Sequence, residues 1–148
     1  MKALMILTIT LWSLQGCQPS HAKLVDLFKA NSSSVEELRK DACTSVPQGG
    51  SLSRDFLGTI SWSANMSEEV AERLGSKLRL LKAHDLRWSK DCQFTVVKLW
   101  QGVILKGEGP SASEVGFRNG TWPVELEPLH TSDEEHSLDD GWVLYKWQ

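Results

Sequence analysis

An unbroken apolar run opens the chain and limits what the rest can become. Behind Lys2, residues 3–14 read ALMILTITLWSL. A helix of that length falls short of the roughly 30 Å hydrocarbon core of a bilayer, so the run reads as the apolar core of a signal peptide. No later stretch is long or apolar enough to span a membrane. Removing 16 or 22 residues from the 148 leaves 132 or 126, which is enough for one domain and too few for two.

Two cleavage sites compete. Ser20-His21-Ala22 places small residues where an ordinary signal peptidase reads them; a cut after 22 gives a soluble chain starting at Lys23. Every Asn in the chain (Asn31, Asn65, Asn119) also lies in a glycosylation sequon, which suits a secreted eukaryotic glycoprotein. The other site, Leu14-Gln15-Gly16-Cys17, resembles the lipobox of bacterial lipoproteins: Leu three positions before the cut, a small residue next to it, then Cys. Gln15 stands where Ala or Ser is commoner in that family. The resemblance implies residues 1–16 as signal peptide, thioether-linked diacylglycerol and an acylated amine on Cys17, and 17–22 as a tether to a domain over 23–148. Several acyl chains on one residue exceed what stable anchoring takes. Gln18 after the Cys, rather than Asp, looks like an outer-membrane address facing the periplasm.

Export leaves Cys43 and Cys92, whose simplest state in an oxidising compartment is a disulfide. No Cys or His pair has zinc-ligand spacing, and neither metal nor cofactor is expected. A net charge of −3 and pI near 5.8 give no footprint for nucleic acid. That net charge hides an asymmetry. Residues 73–106 hold eight Lys or Arg against Asp85 and Asp91, and 108–140 hold nine acids against Arg118. Either the two segments pack together or the acidic one is a surface for a basic protein partner.

Periodicity suggests a helix over 23–30, a break at Asn31-Ser32-Ser33-Ser34, and a second helix over 35–43 opened by a Ser34/Glu37 capping box. Residues 44–55 read as a loop, 56–62 as a short strand, and 65–74 as a helix capped at Asn65 and ended by Gly75. Residues 77–88 fit neither period and lean to loop then strand. Residues 94–100 and 103–106 read as a hairpin around Gln101-Gly102, with a further turn at 106–110. Asn119-Gly120 signals a second hairpin between 115–118 and 121–126. Residues 128–140 read as an acidic loop and 142–147 (WVLYKW) as a last strand, with Trp142 and Trp147 on opposite faces. The expected fold is α+β, with N-terminal helices on one face of an antiparallel meander of four or five strands. Gly116-Phe-Arg-Asn-Gly120 and Gly141-Trp142 resemble the Gly-x-x-x-Gly turn and closing Gly-Trp strand of small proteobacterial envelope proteins of uncharacterised function, a resemblance that implies no activity.

No catalytic signature stands out. His84-Asp85 is the one adjacent base–carboxylate pair, and no Ser sits in a nucleophile elbow beside it. Asp133, Glu134, Glu135, His136, Asp139 and Asp140 cluster without matching a calcium-loop spacing. Exposed Trp could stack on glycan rings or anchor an interface, although most Trp in a small domain fill its core. These observations point to a non-enzymatic, lipid-anchored envelope binding protein. Its sharpest form is an inhibitor or immunity type holding a cationic toxin or cell-wall hydrolase through Asp133, Glu134, Glu135, Asp139, Asp140, Trp122 and Trp142. A glycan-binding or structural envelope lipoprotein is the alternative, with the secreted glycoprotein as a third.

Overall fold

The structure, a computed structural model, describes residues 20–106, 109–121 and 132–147, and the side chains of these apart from 100–113, 132–134 and 147. The segment read as a signal peptide, Cys17 and Trp122 lie outside them. Helix α1 spans His21–Ser45 and α2 spans Glu68–Leu80. Seven strands follow or intervene: β1 Gly50–Arg54, β2 Ile60–Trp62, β3 Asp85–Trp88, β4 Phe94–Lys106, β5 Gly109–Gly120, β6 Ser132–Ser137 and β7 Trp142–Trp147. They form one antiparallel sheet in the order β2-β1-β3-β4-β5-β7-β6. The α+β class is as expected, but there are more strands than four or five, and the sheet is not a plain meander. β1 sits between β2 and β3, and β7 between β5 and β6.

Helix α1 is continuous, where the sequence suggested two helices. Its buried residues Leu24, Phe28, Val35, Leu38 and Ala42 follow a 4-3 spacing that places Asn31 on the same stripe. A polar residue at that stripe position, followed by three Ser with weak helix propensity, mimics a break. The helix survives because Phe28 and Val35 are both buried on either side. The Asn31 amide also donates to the Leu27 carbonyl at 2.8 Å, one turn back.

Helix α2 is capped by Ser67, whose hydroxyl accepts from the Val70 amide, and not by Asn65. Glu68 and Glu69 in its first turn, and Lys77 and Arg79 in its last, suit the helix dipole. Gly75 does not end it. Gly75 is buried beneath Ile60 of β2, where an added Cβ would run into the Ile60 Cδ1. The helix closes seven residues later on Lys82 at φ 54°, with Lys82 N–H donating to Arg79 and Ala83 N–H to Leu78, the pairing of a Schellman motif.

Both helices cover one face of the sheet. Leu52, Leu86, Trp88, Val97, Val115, Phe117, Trp142 and Leu144 meet them in a single core. The alternation along β7 is as the sequence implied: Trp142 and Leu144 face the helices, while Tyr145 is buried in a separate cluster with Phe94 and Val96.

The remaining local readings need correcting. β1 lies within the segment read as a loop over 44–55, and only Ile60–Trp62 of 56–62 is strand. Gln101-Gly102 is no turn, because β4 runs straight through it, pairing Gln101 with Glu114 and Gly102 with Ser113. Asn119-Gly120 closes no hairpin either. Asn119 pairs with Thr95 on one side and Trp142 on the other, so long-range pairing overrides its turn chemistry. β6 occupies part of the acidic segment read as a loop.

Cys43 and Cys92 pair as expected, Cα atoms 5.7 Å apart, joining the end of α1 to the turn between β3 and β4. Closing a loop of 49 residues' separation is worth about 4 kcal/mol in the chain-entropy account. The Trp88 indole N–H donates to the Val46 carbonyl at 2.9 Å and the Asp91 amide to Pro47, fixing the same corner.

The two helices are tied by charge. Asp41 accepts from Arg73 at 3.0 Å and lies 2.9 Å from the Lys77 ammonium. The hydrogen bond from Arg73, then the one from Lys77, hold the Asp41 carboxyl down at about 2, against burial pushing it up. A carboxyl depressed in the folded state contributes stability above its unfolded value near 3.8 and loses it as pH falls through the folded one. Asp41→Asn is therefore expected to flatten the acid limb of the stability curve between about pH 4 and pH 2. Urea midpoints measured across that range check this; parallel curves for the two proteins would refute it.

Candidate functional site

The most chemically loaded place in the fold is the sheet face turned away from the helices. The register sets Asp85, Lys98, Gly116, Tyr145 and Glu135 in one row across β3, β4, β5, β7 and β6. Glu114, two residues before Gly116, shares that face. The Lys98 ammonium stands 2.7 Å from Glu114 and 3.4 Å from Asp85, and Arg87 reaches Asp85 at 2.9 Å. The Tyr145 hydroxyl donates to the other Glu114 oxygen at 2.8 Å.

The row is possible because Gly116 has no side chain. A Cβ there would lie 2.5 Å from the Val97 carbonyl oxygen and 2.7 Å from the Tyr145 hydroxyl. The phenol lies across this gap and so reaches Glu114.

Two cations and two carboxylates balance, as buried charge requires. Burial, then the nearby Glu114 charge, push the Tyr145 hydroxyl well above its ordinary range, so it stays a donor. Lys98 lies between two acceptors and Tyr145 keeps its proton, which makes this a lattice holding four strands in register and not an acid–base pair. No local pattern announces it, since its members are spread over 60 residues from Asp85 to Tyr145. His84 takes no part through its ring; its backbone amide donates to the Lys98 carbonyl.

The residues singled out from sequence are scattered over this frame. Glu135 is exposed and pairs with Arg118 of β5 at 3.1 Å. Asp133 and Glu134 lie on β6, their side chains outside the described set. Asp139 and Asp140 are exposed in the 3-10 turn Asp139–Gly141 between β6 and β7, with Asp140 at φ 57°.

Trp142 was expected at a partner surface, and the structure places it in the core. It is 1% exposed, its ring 6.2 Å from that of Phe28 and its indole N–H donating to Glu36 at 3.3 Å. Trp88 is buried too, and Trp62 is the exposed Trp among the described side chains. No group of His, Cys, Asp or Glu among the described residues could hold a metal ion.

What the fold does assemble is an acidic cleft. Asp140 comes up against α1 and, with Ser32, Ser33, Glu36, Glu37 and Lys40, lines a depression of about 400 Å³. Glu36 is held in its charged form mainly by its hydrogen bond from Arg39 at 2.9 Å, with the Trp142 indole and Lys40 adding to it. Glu37 is 71% exposed, bridged to Lys77 at 3.1 Å.

The three sequon amides are all engaged: Asn31 with Leu27, Asn65 with the Gly49 carbonyl at 2.7 Å, and Asn119 with the Asp140 carbonyl at 3.1 Å. A glycan on any of them would give up that contact.

Replacing Lys98 by Met is expected to destabilise the domain by about 3 kcal/mol, because Glu114 then loses its cation and the buried Asp85 keeps only the exposed Arg87. Tyr145→Phe, which deletes only the hydroxyl, is expected to cost about 1 kcal/mol. Denaturant unfolding of both variants measures the difference, and equal losses would mean that Lys98 carries no such load. No family model, no curated protein and no solved structure matches this chain.

Proposed function

We propose that the chain is a lipid-anchored binding protein of the bacterial envelope, held through Cys17, that presents acidic groups to a cationic protein partner. The observation that carries this reading is the placement of Asp140, from the β6–β7 turn, beside the α1 carboxylates Glu36 and Glu37 around one cleft. Groups a hundred residues apart in sequence thereby bring three carboxylates to one surface, two of them sharing their charge with Arg39, Lys40 and Lys77 and Asp140 adding to them. Such a surface speeds and orients association with a basic protein and makes it salt-sensitive. The Cys43–Cys92 pairing supports the compartment, since disulfides persist where the surroundings are oxidising. An inhibitor or immunity protein against a basic toxin or cell-wall hydrolase is the form that fits these features.

The burial of Trp88 and Trp142 weakens the glycan-stacking alternative, and the engaged sequon amides weaken the glycoprotein one.

Two measurements test the proposal. Intact mass of the mature protein from its native host is expected to give a chain starting at Cys17 with three acyl groups, absent from Cys17→Ala. A chain starting at Lys23 would remove the anchor. For the partner, Asp139→Lys with Asp140→Lys is expected to slow association with a basic envelope or secreted protein by about tenfold at low salt, with little change at high salt. Unchanged association rates would move the partner surface elsewhere.

A further inference from the structure

The hairpin between β1 and β2 has a tip that burial does not explain. Phe56 is 90% exposed and Leu57 76% exposed, side by side, where a turn ordinarily carries polar residues. The tip is held firmly in shape. The Asp55 carboxylate accepts from the Leu57 amide at 2.9 Å and the Thr59 amide at 2.8 Å. The Gly58 amide donates to the Asp55 carbonyl, and the Asp55 amide to Thr59. Gly58 takes φ 89°, which lets the chain turn back at that point. Two large apolar groups are thus displayed on a hydrogen-bonded support, left exposed by the described residues.

A second segment ends beside the hairpin base. The Arg54 amide donates to the His84 carbonyl at 2.7 Å and its guanidinium to the Ala83 carbonyl, which brings the α2–β3 connection to the same end of the molecule. The last residue of α2 before that connection, Leu80, is 83% exposed and lies between Arg79 and Lys82, both exposed. Across 53–60 and 77–84 the charges are Arg54, Lys77, Arg79 and Lys82 against Asp55 alone. The domain as a whole is acidic, so this end stands apart from it.

We propose that this end is a membrane contact, with Phe56 and Leu57 entering the headgroup–acyl boundary of an anionic bilayer while Arg79 and Lys82 meet its phosphates. Projecting apolar groups with cations at the same end of the molecule match both layers of such an interface at once, since each Lys or Arg near an anionic surface strengthens binding and the apolar groups leave water. The contact is independent of acylation at Cys17. The start of α1 and the tip stand at opposite edges of the sheet: α1 begins at the β6 edge, with His21 against His136 at 4.9 Å, while the tip rises from the β2 edge. Six strand spacings separate the two edges, about 29 Å.

The test is amide hydrogen exchange of residues 55–60 in the full chain, with and without vesicles. Phosphatidylethanolamine with phosphatidylglycerol is expected to slow exchange there, and phosphatidylcholine vesicles to leave it unchanged. Phe56→Asp with Leu57→Asp is expected to weaken binding to the anionic vesicles by more than about tenfold, and Arg79→Glu with Lys82→Glu by about tenfold, with added salt erasing the second difference. All four side chains are exposed, so the thermal midpoint is expected to hold in both variants. No local protection on anionic vesicles, or protection that survives Phe56→Asp with Leu57→Asp, overturns the proposal. In the first case the tip would be assigned to a protein with an acid-rimmed apolar pocket. The local readout separates this outcome from loss of the anchor, which only the mass at Cys17 reports.

Discussion

The packing of α1 across the sheet is the contact on which the other elements depend. Its stripe, Leu24 to Ala42, is the surface against which strands from both halves of the chain close, β1 and β3 at one end and β5 and β7 at the other. Phe28 sits 5.0 Å ring to ring from Phe117, and Glu36 takes the indole proton of Trp142. At the far end Cys43, Val46 and Pro47 are held by Cys92, Trp88 and Asp91. A helix fixed at both ends over a seven-stranded sheet leaves α2 only the remaining space beside it, and the Asp41 ion pairs fill that boundary.

Covering one face with helices leaves the other to satisfy itself. There the chain sets balanced charges beside the small cluster of Phe94, Val96 and Tyr145. Lys98 between Asp85 and Glu114 is costly to bury, and it specifies which residues can stand opposite one another. A one-residue slip of β4 against β5 would send Lys98 into the apolar core and bring Val97 against the carboxylates. Gly116 adds to this, because only a residue without Cβ leaves the Tyr145 phenol its path.

How much of this was legible in the sequence varied with the range of the forces involved. The α+β class, the cysteine pair and the two-faced last strand could be read, because each rests on local pattern or on a count of two. Helix α1 was misread as two because Asn31 occupies a stripe position that only the tertiary packing of its neighbours reveals as helical. Asn119-Gly120 carried a strong turn signal that two neighbouring strands override. Gly75 was read as a stop by its identity, when its role is to admit Ile60. The acidic cleft joins α1 to residues near the C-terminus, and the polar row joins strands from Asp85 to Tyr145. No window-based reading could have brought either together. Trp142 was misjudged because an aromatic at a strand's first residue looks the same whether it faces water or a helix.

The reach of α1 also bears on how the domain forms in time. Its first half has no partners until β5 and β7 exist, and the contact between Glu36 and Trp142 spans 106 residues. Loops that long close slowly, and contacts of that separation mark chains that fold late and together. As the chain emerges from synthesis or export, the apolar side of α1 therefore stays uncovered until nearly the last residue has appeared. A chain cut short before β7 would keep its helices and its cysteine pair within reach, yet it would expose the stripe that makes nascent chains aggregate. That surface stays open to other chains for as long as β7 is missing.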